Sequence, residues 1–150
     1  MSSALRGLMV AVEAAERQRD EARRSLQNTR NAQMAAQGQL DQLQAYANET
    51  EGRWGMRANA TVAPEVMFHH YQFMERLNHA MGLQTTVVQQ HNYRVEQAQQ
   101  LLLQSELRLT SLQKLVDKRR QEIELAQMRR EQKQTDERAA QQYFQQRKPL

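Results

Sequence analysis

Cysteine is absent from the 150 residues, which excludes a disulfide framework and any thiolate metal site and allows a reducing compartment. Proline occurs twice and glycine five times, too seldom for a fold of many short elements joined by turns. Aromatics make up 5% and hydrophobic residues 39% of the chain, and mean hydropathy is -0.90. A thick globular core therefore lacks its apolar volume. No apolar run approaches the ~20 residues that a membrane span requires. The longest candidate for a secretion signal, residues 7–12, is followed by Glu13 and has no small-residue cleavage pattern. The expectation is a soluble, cytoplasmic chain. Neither sign of charge dominates: 21 basic and 17 acidic residues leave a net +4, a mixed surface rather than a polycation.

What the chain has in quantity is Ala, Gln, Glu, Arg and Leu, the composition of long helices and coiled coils. They fall into two stripes with alternating steps of three and four. The first runs Leu5, Leu8, Val12, Ala15, Arg19 and onward through Leu26, Gln33, Ala36, Leu43 and Ala47 to Trp54. The second runs Met67, His70, Met74, Leu77 and onward through Gln84, Val88, His91, Ala98, Leu109 and Val116 to Arg119, Ile123 and Ala126. A 3.5-residue repeat of this length is the condition for left-handed supercoiling of two helices.

The predicted fold is all-α: a long two-helix antiparallel coiled-coil hairpin with helix two overhanging helix one, forming a single coiled-coil domain over 1–150. Helix one is expected over about 3–56, capped at Ser3, the hinge over about 57–63 and helix two over about 64–145. Pro64 and Glu65 make a good helix start, and Lys148-Pro149 a stop. At 1.5 Å per residue the helices would be roughly 80 and 120 Å long, and the overhang about 40 Å.

Facing pairs whose numbers add to about 124 centre the hairpin on the breaker and set large residues against small ones. That register puts Val12 on Leu112, Leu26 on Ala98 and Ala36 on Val88, with Gln33 opposite His91 and Arg19 opposite Ser105. The acid-first pairs Glu13–Arg17 and Asp20–Arg24 would support the outer face of helix one, and i,i+4 pairs such as Lys118–Glu122 and Lys133–Glu137 the overhang.

Little here points to chemistry. His69, His70, His79 and His91 include no i,i+4 pair of the kind a helical metal site uses; His70 and His91 read as seam residues bonded to polar neighbours. Asn48-Glu49-Thr50 and Asn59-Ala60-Thr61 match the glycosylation acceptor pattern by chance. There is no Gly-rich phosphate loop and no nucleophile elbow, so no enzyme, cofactor, metal or small-molecule substrate is expected. Basic residues of the overhang are interleaved with acids, which reads as a solvated face and not as a nucleic-acid stripe. Two places stand out. Ile123 and Ala126 continue the stripe where helix one has ended, a half-seam that suggests docking. Tyr46 and Phe73 flank the seam on one edge; they either widen it or form an apolar patch for a partner. Trp54, Phe68 and Tyr71 nearby read as hinge packing.

The segments Gln39-Leu40-Asp41-Gln42-Leu43-Gln44-Ala45-Tyr46 and Tyr71-Gln72-Phe73-Met74-Glu75-Arg76-Leu77-Asn78-His79-Ala80, with the charged tail Glu131-Gln132-Lys133-Gln134-Thr135-Asp136-Glu137, resemble the FliJ family, coiled-coil stalk components of the flagellar type III export apparatus. The resemblance covers nearly the whole chain. It implies a monomeric two-helix stalk, similar to the γ subunit of rotary ATPases, that links a hexameric export ATPase to the cytoplasmic domain of the membrane export-gate protein at the flagellar base. It implies gate contacts at Gln39, Leu43, Tyr46, Phe73, Leu77 and Ala80. On the overhang, Arg120, Ile123, Arg130, Lys133 and Asp136 are the candidate ATPase-ring contacts. The family pattern leads one to expect an aromatic residue and a histidine where this chain has Thr50 and Gln84. Family members also engage export chaperones. A virulence-type secretion stalk, or an export chaperone or dimeric coiled-coil adaptor with its seam between chains, are the alternatives.

Overall fold

A computed structural model describes residues 2–57 and 62–147. The middle of the breaker, with the Asn59-Ala60-Thr61 pattern, and the Lys148-Pro149 stop lie outside the described residues. Two helices make up the structure, α1 (Ser3–Arg57) and α2 (Pro64–Arg147). Among the described residues there is no strand, cis peptide or positive-φ residue.

Ser2, not Ser3, caps α1: its Oγ accepts from the Leu5 backbone N–H at 3.2 Å, and its carbonyl accepts from Arg6. The cap is the residue just outside the first helical one, from which a short hydroxyl reaches the N–H three residues on. At the start of α2 the Ala63 carbonyl accepts from Val66 and Met67. Pro64 takes the first helical place, where its missing N–H costs nothing, and Glu65 sits in the first turn.

The chain divides into two compact units, one of Asp20–Gln104 and one of Met1–Arg19 with Ser105–Leu150. In the first, Leu26 clusters with Val95 and Ala98, with Leu102 packed against them. Ala47 clusters with Met74 and Leu77, flanked by Leu43 and Met81. As residue numbers rise along α1 they fall along α2, so the helices run antiparallel. Leu26 with Ala98 and Ala47 with Leu77 both keep the expected sum of about 124.

Polar seam residues are satisfied locally. Thr29 turns its hydroxyl back to the carbonyls of Ser25 and Leu26, a way of burying an O–H inside a helix. Gln33, which the register sets opposite His91, donates to the adjacent Asn92 Oδ1 at 2.7 Å. A glutamine is long enough to pass the seam and reach the neighbouring position. His70 departs from expectation, since its partner is aromatic: its ring stacks on Trp54 at 4.0 Å and 4°. No buried side-chain nitrogen or oxygen among the described residues lacks a hydrogen-bond partner.

In the other unit Leu5, Ala15, Leu109 and Val116 are buried, while Leu8, Val12 and Leu112 are half-buried. Past Ile123, which is half-buried, every residue from 124 to 147 is exposed. Here α1 has run out, so the seam of α2 has nothing to face. At 1.5 Å per residue this uncovered helix is about 36 Å long. Met67, Arg119 and Ala126, assigned to the seam by periodicity, are exposed. The facing helix is at its end opposite Met67 and missing opposite Ala126, and Arg119 pairs instead with Glu122 at 3.2 Å. Glu122 thus serves Arg119 and not Lys118. Both groups are about half-exposed, so the pair adds little stability.

Candidate functional site

Two surfaces collect the predicted site residues, one on each unit. The first lies along one edge of the Asp20–Gln104 unit. Tyr46 and Phe73 meet edge to face, with ring centroids 5.8 Å apart and planes at 80°. They remain 51% and 39% exposed. An edge-to-face pair directs the positive ring edge of one aromatic at the negative face of the other, which holds both rings without burying them. Both rings thus touch across the seam edge and still keep large areas open.

The other four predicted residues divide by depth. Gln39 is exposed and Ala80 half-buried, both on the same edge. Leu77 is 7% exposed and clusters with Ala47 and Met74, while Leu43 lies against that cluster. These two leucines belong to the seam and present little surface. Leu83, 59% exposed, stands one turn beyond Ala80 and extends the apolar edge. Heptad reading passed over it because it holds an outer position, although a leucine outside the stripe is itself a signal.

The two positions that depart from the family pattern turn inward. Thr50 donates its hydroxyl to the Tyr46 carbonyl at 2.8 Å. Gln84 donates from Nε2 to the Ala36 carbonyl at 2.9 Å and to Gln39 Oε1 at 3.2 Å. Phe68 and Tyr71, read as hinge packing, are exposed. Trp54 is the residue that packs there, because the seam position it occupies meets His70, while Phe68 and Tyr71 fall outside the contact.

The second surface is the uncovered stretch of α2. Arg120, Arg130, Lys133 and Asp136 are exposed and Ile123 is half-buried; at about 100° per residue they wind round the helix, with Arg120 and Asp136 on opposite sides. Lys133 and Asp136 share a shallow depression with Arg129 and Glu137. Leu125 and Met128 are exposed on the same stretch, also at places the heptad reading treats as outer. Tyr143 lies under the Arg147 guanidinium at 4.9 Å.

No group of three or more His, Cys, Asp or Glu among the described residues could hold a metal ion, and no helix there is long and apolar enough to cross a membrane. What the arrangement offers is contact: an aromatic edge, and a helix surface of mixed charge with apolar residues on it.

No curated protein and no solved structure gives a significant match to this chain. A sequence model of the family described as Flagellar FliJ protein matches residues 8–148, a span that includes both surfaces. The chain therefore belongs to the flagellar FliJ protein family and is a component of the flagellar export apparatus.

Proposed function

We propose that this chain is a non-enzymatic coupling stalk. Its uncovered α2 stretch engages the hexameric export ATPase, promoting ring assembly and hydrolysis. Its Tyr46–Phe73 edge engages the cytoplasmic domain of the membrane export gate, which would hold the protein at the membrane surface of the flagellar base. Export chaperones are further partners in this reading.

The observation that carries it is the run of exposed residues 124–147. A lone helix gains most of its stability from packing an amphipathic face, and this one has none within the chain. A partner that covers the Ile123 stripe supplies that packing. Its alternating charges suit several weak contacts with ring subunits, because exposed ion pairs form and exchange at little cost.

The test is ATP hydrolysis by the purified cognate ATPase with full-length protein and with a chain ending at residue 124. Full-length protein should raise the rate and favour rings, and the shortened chain should do neither while keeping its paired helices by circular dichroism. Equal stimulation by both would remove the role given to the tail. The intrachain seam also favours a hairpin over a dimeric adaptor, and light scattering at micromolar concentration should return a monomer mass.

A further inference from the structure

Gln84 is a half-buried seam residue, and its amide reaches past its own layer to the α1 backbone at Ala36, which is buried. From there one Nε2 group serves two acceptors, the Ala36 carbonyl and Gln39 Oε1. Gln39 is thereby fixed by its oxygen, and its own Nε2 is left to donate. It lies two turns from Tyr46 on the same edge, about 10 Å along the axis.

An exposed glutamine ordinarily samples many rotamers, and a partner that uses it must bear the entropy of fixing it. Here that ordering is already done inside the free protein. We propose that Gln84 is a positioning residue for the docking edge: it holds the Gln39 amide as a fixed donor beside the Tyr46–Phe73 pair and Leu83. The partner surface recognised is then an apolar cleft with a hydrogen-bond acceptor, a backbone carbonyl or carboxylate, at its rim. This inference rests on the reading of that edge as the gate contact. The partner's apolar cleft takes the rings and Leu83, and its acceptor takes Gln39 Nε2. The position where the family pattern suggests a histidine would act here through a neighbour and not by touching the partner.

The experiment is calorimetric titration of the full-length protein into the cytoplasmic domain of the export gate. Gln84→Leu and Gln84→Asn, the second polar but too short to bridge, should each weaken binding by about three- to tenfold. Gln39→Glu keeps an oxygen for Gln84 but removes the donor, and should weaken binding at least as much. Gln39→Leu combined with Gln84→Leu should be no worse than Gln39→Leu alone, because the two act as one unit. Additive losses, or unchanged binding in either Gln84 variant, would overturn the positioning role. Tyr46→Ala with Phe73→Ala separates the two levels. If that variant loses binding while the glutamine variants do not, the edge stands and the clamp falls. If it binds normally with helicity kept, the gate reading itself fails.

Discussion

Exchanging a leucine and an alanine across one seam layer tests the register directly. Leu26 is buried with Val95 and Ala98, and Leu102 packs against the group. Leu26→Ala removes about three methylene equivalents from this cluster, a transfer loss of about 2–3 kcal/mol. A cavity term adds to that in a thick core, but half-buried Leu102 can settle into the gap, so the total should stay near 3 kcal/mol. Ala98→Leu alone overpacks the layer and should cost about 1–3 kcal/mol. The double variant moves the same volume from one helix to the other and should recover most of both losses, within about 1 kcal/mol of the parent. Urea unfolding followed at 222 nm measures all three, and the Leu26→Ala midpoint should fall by several degrees on heating. If the double variant lost as much as the two singles added together, Leu26 and Ala98 would not share a layer. The pairing that positions Tyr46 on Phe73 would then lose its support.

Two further perturbations are read simply. Gly82 sits within α2 with open space where a Cβ would be, so Gly82→Ala should stabilise by about 0.5–1 kcal/mol through the unfolded chain; a lower urea midpoint would show that the site is not open. His70→Ala should uncover the face of Trp54, the chain's one tryptophan, and red-shift its emission, and an unchanged spectrum would mean that the stack does not shield the indole.

The heptad stripe was legible because it asks only for residue type at a fixed period. From Leu5 to Trp54 each assigned position is buried or half-buried, the polar ones included. From His70 to Val116 each assigned position of the α2 stripe is also buried or half-buried. What periodicity could not supply is reach. Gln33 bonds Asn92 and Gln84 bonds Gln39 because long amides extend past their own layer to a neighbouring residue, which no single position records. The Trp54–His70 stack was hidden for the same reason: each residue was read by itself, His70 as a polar seam group and Trp54 as general packing. Leu83, Leu125 and Met128 were missed for the opposite reason. They lie off the stripe, and their exposure follows from the geometry of the pair, not from the pattern that identified the pair.

The polar layers bear on function through the free energy they forgo. A leucine layer would contribute about 2–3 kcal/mol of burial on each side, whereas a satisfied amide bond contributes about 1 kcal/mol. Gln33, Gln84 and His91 occupy such layers between the Leu26 and Ala47 clusters, and the chain keeps them at that cost. A seam of leucines would tolerate a one-heptad slip almost without penalty, since every layer would look alike. Gln84's bond to Gln39 has no equivalent a heptad away, where Tyr46 or Ala32 stands in place of Gln39, so the slip loses it. In this protein register is also surface. A shift of seven residues on one helix would separate Tyr46 from Phe73 by about 10 Å and dismantle the docking edge, so the same amides that limit stability keep that edge assembled.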